Sequence, residues 1–124
     1  MTLRSLQRLG RACQNSVRGL SHALQTERAI QQEAVTLAVM TPVASMIAQD
    51  AWSWISLIGV ILLLIVIELV NTAIELLCDF VEPEHHPTIG HIKDLGSAAV
   101  LCALVLAAAV WLITLWHALW RLGV

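Results

Sequence analysis

Two carboxylates and an amide inside an apolar run constrain this chain more than any other feature. Glu68, Asn71 and Glu75 are spaced three and four residues apart, which places them on one face of a helix. We call these three residues the acidic stripe. Residues 51–67, which precede it, carry no charge. A carboxylate facing lipid costs about 2.5 kcal/mol or more, so the stripe must face a protein interior or a polar cleft. An ionisable group in such a place is a candidate functional site.

The composition is that of an integral membrane protein. The 124 residues, enough for a single domain over 1–124, are 58% hydrophobic and 13% charged, against about 25% charged residues in soluble domains. The net charge of −2 and the lack of basic blocks exclude a nucleic-acid partner. The three cysteines have no metal-ligand spacing and are expected to be unpaired. Residues 1–26 are too polar for a cleavable signal peptide, so we expect none.

The hydropathy pattern predicts four helices. Residues 3–26 combine an apolar face with an arginine-rich face, which predicts an amphipathic helix on the membrane surface. A polar hinge over residues 26–33 leads into three membrane spans, predicted at about 30–48, 52–80 and 94–120. Two prolines and a glycine predict a loop over residues 81–92. The expected fold class is an all-α membrane protein.

The distribution of basic residues predicts the orientation. Six lysines and arginines lie on the side that holds the N-terminal helix and the 81–92 loop, and only Arg121 lies on the other. We therefore expect a cytoplasmic N-terminus and a C-terminus outside the cytoplasm. Tryptophans at the predicted outer ends of the spans are typical of an aromatic belt. They are Trp52, Trp54, Trp111, Trp116 and Trp120.

This orientation gathers the polar side chains at the cytoplasmic interface. Carboxylates together with substrate phosphates are the usual ligands of Mg²⁺. A lysine neutralises phosphate charge, and a carboxylate accepts a proton from a lipid hydroxyl. These groups suit phosphoryl transfer, although the chain has neither a P-loop nor the protein-kinase motifs. The gathered residues are Glu27, Glu68, Asn71, Glu75, Lys93 and Asp94.

Other interpretations of the same residues stay open at this level. Glu68 and Glu75 also suit polar contacts between spans or the lining of an ion pathway. Against a small ion-conducting or transport subunit, the outer half of every predicted span is apolar. His85 and His86 fit solvated loop positions better than metal ligation, because no spacing of Cys and His supports a metal site.

Three motifs resemble the prokaryotic diacylglycerol kinase family. They are ELVNTAIE at residues 68–75, KDLGSAAV at 93–100 and ERAIQQE at 27–33. The resemblance extends from about Arg8 to the C-terminus. It implies a bacterial inner-membrane enzyme that transfers the γ-phosphoryl of MgATP to the hydroxyl of 1,2-diacylglycerol, giving phosphatidic acid. It also implies a homotrimer of three-span protomers with active sites shared between neighbours and a periplasmic C-terminus.

The resemblance assigns roles by position. Glu68 is similar to the family's catalytic base, and Glu27 and Glu75 correspond to its metal-binding carboxylates. The residues expected at the nucleotide are Arg8, Glu27, Glu75, Glu84, His85, His86, Lys93 and Asp94. Those expected to contact the substrate or line the site are Glu33, Glu68, Asn71 and Ser97. Asn15 replaces an aromatic residue of the enterobacterial type, so it receives no stacking role.

Undecaprenol is the alternative to diacylglycerol as the lipid substrate of an enzyme with this fold. The run His85-His86-Pro87 is similar to the undecaprenol kinase branch, which phosphorylates a different membrane alcohol. The run Gly96-Ser97-Ala98-Ala99-Val100 resembles the diacylglycerol kinase branch and favours diacylglycerol as the substrate.

Overall fold

The structure is a computed structural model that describes residues 3–123. All regular secondary structure in this range is helical, which confirms the all-α part of the prediction. The helices are α1 (Leu3–Thr26), α2 (Arg28–Ile47), α3 (Ala51–Val81) and α4 (Pro87–Leu122). The three cysteines are free, as predicted.

The junction between α1 and α2 is shorter than the predicted hinge. Only Glu27 leaves helical geometry, with φ −103° and ψ 115°. The Gln31 side-chain amide donates to the Leu24 carbonyl at 3.0 Å, so it satisfies an acceptor that the end of α1 leaves open. The polar hinge predicted over residues 26–33 is thus confined to Glu27, and α2 begins at Arg28, close to the start of the span predicted at about residue 30. Residues 28–33 already form the first turns of α2.

Two of the four helices are long and apolar enough to cross a membrane. These are α3, with 31 residues, and α4, with 36. The 20 residues of α2 fall short by composition, because its first two turns contain Arg28, Gln31, Gln32 and Glu33. Its length of about 30 Å still equals the thickness of the hydrocarbon layer.

The fourth helix begins earlier than predicted. The loop between α3 and α4 is confined to residues 82–86, and Pro87 is the first residue of α4. Proline suits this position because the first helical N–H has no partner within the helix. The Thr88 backbone N–H donates to His86 Nδ1 at 3.2 Å and so caps the helix. The prediction of a loop over residues 81–92 is wrong for residues 87–92, and Gly90 lies inside α4.

Helix α3 packs against both α2 and α4, while α1 lies against α2. Ile30 of α2 and Leu57 of α3 are fully buried. On α4 the buried side chains are small, with Ala103 and Ala107 facing inward, which allows a close approach of helices. Most large apolar side chains on α2–α4 are exposed in the single chain. These surfaces are available to lipid or to further copies.

Polar contacts fix the end of the bundle opposite the 82–86 loop. Trp111 Nε1–H donates to the Leu57 carbonyl at 3.0 Å, and Arg121 Nη2 donates to the Ile47 carbonyl at 2.9 Å. Trp111 is therefore half-buried between helices rather than placed in the predicted belt, because its indole N–H finds its acceptor inside the bundle. Trp116 and Trp120 are exposed, as a belt requires.

Helix α3 starts with a well-formed cap. Asp50 accepts hydrogen bonds from the Ser53 backbone N–H at 2.7 Å and from the Ser53 hydroxyl at 2.8 Å. These bonds favour the charged carboxylate, so they hold the pKa of Asp50 below its usual 3.8, with the backbone bond contributing most. The cap fixes where α3 begins and hence how far along the helix the acidic stripe lies.

Candidate active site

The acidic stripe lies on one face of α3, as predicted. Asn71 Nδ2 donates to Glu75 Oε1 at 3.0 Å, one helical turn apart. Asn71 is buried, with 7% of its surface exposed, while Glu68 and Glu75 are half-buried. Glu68 lies about 10 Å from Glu75 along the helix axis. The two carboxylates therefore sit at different depths of the same face.

Two further carboxylates approach the stripe from outside α3. The charges of Glu75 and Glu27 both act on Glu68, and the charge of Glu68 acts on Glu33. Glu27 is the residue at the junction of α1 and α2, where it accepts a hydrogen bond from the Thr26 hydroxyl at 3.0 Å. Four of the predicted acidic site residues, Glu27, Glu33, Glu68 and Glu75, thus lie within electrostatic reach of at least one other member of the group. Their mutual repulsion favours a cation or a proton among them.

Glu33 lies at the rim of a mostly apolar cavity. The cavity has a volume of about 370 Å³ and is bounded by side chains of α2, α3 and α4, among them Thr36, Ile61, Leu104 and Trp111. Glu33 Oε2 is buried and has no hydrogen-bond partner among the residues described. A buried oxygen without a partner is costly, which is typical of a group whose partner is a ligand or a proton.

Lys93 is paired with a residue that the sequence analysis did not single out. Its Nζ lies 2.5 Å from Asp79 Oδ1, and this ion pair joins the end of α3 to the start of α4. Glu75 also acts electrostatically on Lys93. The sequence contains a signal for this pair. In antiparallel helices, residues that are equally distant from the connecting loop lie side by side, and Asp79 and Lys93 are equally distant in sequence from His86. That signal required knowing where the loop ends.

The loop residues predicted to contact a nucleotide share one cavity. It has a volume of about 260 Å³, and its walls include Glu84, His85, His86, Lys93 and Asp79. Nδ1 of His86 is engaged by the helix cap, so only Nε2 of this ring remains for a ligand. The cavity places the predicted loop residues beside the lysine expected to meet phosphate.

Three predicted site residues are not brought to these groups within one chain. Arg8 is exposed on α1 and does not line the loop cavity. Asp94 and Ser97 are exposed on α4. A site that uses all three would need contributions from a second copy of the chain or from the ligand itself.

The donor set limits the kind of metal site this chain can build. Residues 3–123 contain no group of three or more His, Cys, Asp or Glu side chains arranged to hold a metal ion. Mg²⁺ commonly binds through one or two carboxylates, with phosphates and water completing its shell. Glu27 and Glu75 supply the two carboxylates that this mode requires, and each lies within electrostatic reach of Glu68.

Two helices that are long and apolar enough to cross a membrane, and carboxylates near a lysine, are the groups that phosphoryl transfer at a membrane requires. Comparison with known proteins agrees with this chemistry. A family model described as prokaryotic diacylglycerol kinase matches residues 14–115. The chain therefore belongs to the prokaryotic diacylglycerol kinase family, and it is an enzyme of the lipid kinase class.

Curated relatives cover most of the chain. A diacylglycerol kinase of Escherichia coli is 37% identical over 109 residues, which is 88% of this chain and 89% of the relative. One from Pseudomonas aeruginosa is 35% identical over 106 residues, 86% of each chain. One from Helicobacter pylori is 34% identical over 108 residues, 87% of this chain and 84% of the relative.

Proposed function

We propose that this enzyme transfers the γ-phosphoryl group of MgATP to the hydroxyl of 1,2-diacylglycerol, giving phosphatidic acid and ADP. One observation carries the proposal beyond family membership. Glu27 and Glu75 both lie within electrostatic reach of Glu68, and the Lys93 ammonium lies within electrostatic reach of Glu75. This set supplies a base, metal ligands and a phosphate-binding cation in one place.

We assign the role of general base to Glu68. Its carboxylate accepts the proton of the lipid hydroxyl while the hydroxyl oxygen forms a bond to the γ-phosphorus. The bond from the γ-phosphorus to the bridging oxygen breaks, and that oxygen leaves with ADP. Glu68 is the carboxylate of the acidic stripe nearest the middle of α3, and hence nearest the lipid. Proton transfer by a positioned side chain contributes roughly 100-fold to 10,000-fold in rate.

Glu27 and Glu75 would hold the Mg²⁺ that arrives with ATP. When bound, this ion neutralises the charge of the phosphates. Two carboxylates from two different elements restrict where the nucleotide phosphates can lie. The remaining ligands would come from phosphate and water, in keeping with the small protein donor set.

The nucleotide would occupy the region of the loop cavity. Lys93 and Asp94 lie at the start of α4, and Glu84, His85 and His86 come from the loop that precedes it. Arg8 would join them from α1. Glu33, Asn71 and Ser97 would line the side of the site that faces the acyl chains.

We propose three membrane spans, in which α2 joins α3 and α4. The length of α2 matches the hydrocarbon layer, and its exposed Val35 and Val39 suit lipid or helix contacts. The N-terminus and the 82–86 loop would lie in the cytoplasm and the C-terminus in the periplasm of a bacterial inner membrane. We further propose a homotrimer, in which a neighbouring copy brings Arg8 to the loop cavity.

The proposal is tested with purified protein in mixed micelles. Radiolabelled γ-phosphate of ATP is followed into lipid, with diacylglycerol and undecaprenol compared at equal mole fraction. We expect label in phosphatidic acid, with diacylglycerol as the better acceptor and an absolute requirement for Mg²⁺. Labelled undecaprenyl phosphate as the main product would identify the other branch of the family. Transfer of label to neither lipid would refute the proposal.

The Glu75→Gln variant tests the metal assignment separately. We expect no detectable transfer, while the variant elutes as the same oligomer as wild type in detergent. Turnover at the wild-type level would remove Glu75 from the metal role.

A further inference from the structure

Asn71 of the acidic stripe on α3 packs directly against Gly96 of α4. Asn71 Nδ2 donates to Glu75 Oε1, and Asn71 Oδ1 is buried without a hydrogen-bond partner among the described residues. A carboxylate can only accept, so the amide nitrogen must face Glu75 and the amide oxygen must face α4. The orientation of this side chain is therefore set by Glu75 on one side and by α4 on the other.

Gly96 is the residue of α4 that meets the amide oxygen. A Cβ atom built on Gly96 would overlap Asn71 Oδ1 and would lie 3.2 Å from Asn71 Cγ. A Cβ built on Gly59 or on Gly90, also inside helices, would meet nothing within 4 Å. Glycine inside a helix costs about 1 kcal/mol relative to alanine. At Gly96 the structure gives a local reason for that cost, because any side chain there would displace the Asn71 amide.

We propose that Gly96 is a positioning residue for Glu75, acting through Asn71. The inference rests on the proposed function, which assigns Glu75 to the metal of MgATP. Gly96 leaves the space that the Asn71 amide occupies, and the amide in turn restrains the Glu75 carboxylate by a hydrogen bond. Without this space the amide must rotate or shift, and the bond to Glu75 is lost. The contact between helices thus fixes the orientation of a carboxylate on one of them.

The expected effect falls on metal–nucleotide binding. Loss of a hydrogen bond to a charged group corresponds to a decrease in affinity of about tenfold or somewhat more. Gly96→Ala should therefore weaken binding of Mn²⁺ with a non-hydrolysable ATP analogue by about tenfold. Gly59→Ala is the matched control, because it adds the same methyl group to an interior helix position with open space.

The test is a double-variant cycle read by electron paramagnetic resonance of free Mn²⁺. The proteins compared are wild type, Gly96→Ala, Asn71→Ala and the double variant, each in detergent micelles with the analogue present. If Gly96 acts through Asn71, the added methyl has no further effect once the amide is gone. We expect Asn71→Ala and the double variant to bind equally. A merely structural role for Gly96 would lower thermal stability without this non-additive pattern in affinity.

Two results would overturn the inference. One is wild-type affinity in a folded Gly96→Ala protein, and the other is an additional loss in the double variant relative to Asn71→Ala. The second comparison holds even if Gly96→Ala alone fails to fold, because the double variant removes the overlap. Glu75→Gln, measured alongside, separates the two proposals. Unchanged affinity in Glu75→Gln refutes the metal assignment, whereas weakened affinity there with no effect of Gly96→Ala refutes only the positioning role.

Discussion

The ion pair between Lys93 and Asp79 makes a quantitative prediction about nucleotide affinity. The Lys93 ammonium is engaged by Asp79 Oδ1 at 2.5 Å. The phosphates of ATP must share or displace this partner, and the Asp79 charge also repels them. Asp79→Asn keeps the shape of the side chain and removes the charge. We therefore expect the KM for MgATP to decrease and kcat to stay near the wild-type value.

The magnitude follows from the exposure of the pair. The Lys93 and Asp79 side chains are 36% and 63% exposed, so water and salt weaken their attraction. Pairs as exposed as this one contribute little, which corresponds to a decrease in KM of about twofold to fivefold. Because the Debye length shortens from about 10 Å at 0.1 M salt to about 3 Å at 1 M, the difference from wild type should narrow at high salt.

The assay is the mixed-micelle kinase reaction with MgATP varied at both salt concentrations. Glu82→Gln is the matched control, because Glu82 lines the same cavity but is not the partner of Lys93. An equal decrease in that control would show that general repulsion, rather than release of Lys93, is responsible. An increase in KM for Asp79→Asn would refute the reasoning, since it would mean that Asp79 holds Lys93 in its productive position.

Three further predictions follow from single contacts. Glu68→Gln should lower the rate of phosphoryl transfer by at least about 100-fold while keeping MgATP affinity, because the amide cannot accept the hydroxyl proton. Loss of nucleotide binding in this variant would instead make Glu68 a ligand. Trp111→Phe removes the bond to Leu57 and should lower the free energy of unfolding by about 0.6–1.5 kcal/mol in detergent, measured by thermal denaturation. The cap formed by the charged Asp50 carboxylate should stabilise the fold fully at pH values above about 3.9, the pKa of an aspartate in the unfolded chain. This stabilisation should be lost as the pH falls through the lower pKa that Asp50 has in the folded protein. The difference in Tm between wild type and Asp50→Ala should therefore shrink in acid. A pH-independent difference would contradict the cap argument.

Periodicity within a helix was readable from the sequence, and contacts between helices were not. The spacing of Glu68, Asn71 and Glu75 determines that they share a face once the segment is helical. The same spacing says nothing about which residue of α4 opposes Asn71. The sequence does not reveal that Gly96 opposes Asn71, because the relative register of two helices depends on the packing of both.

The errors in the predicted boundaries share one physical cause. Pro87 was treated as a residue that ends structure, whereas at the first position of a helix it starts one. Gln31 falls where the predicted hinge overlaps the predicted first span, and its amide satisfies a carbonyl at the end of α1, so α2 begins at once. In both cases a polar or helix-breaking residue supplies the local partner that a helix end requires, and composition does not reveal the partner.

The proposed membrane placement accounts for the different depths of Glu68 and Glu75 within the acidic stripe. Helix α3 begins at Ala51, and about 20 residues of helix span the 30 Å hydrocarbon layer. Counting from Ala51 with its cap at the outer interface, this distance ends near Asn71. Glu68 then lies just inside the hydrocarbon edge and Glu75 just outside it. A reaction between a lipid hydroxyl and a water-soluble nucleotide needs its base and its metal ligand on opposite sides of that boundary. Asn71, which bonds to Glu75 and is buried against Gly96, lies at the boundary itself. The contact of Asn71 with Gly96 between α3 and α4 therefore lies at the depth where the two substrates would meet.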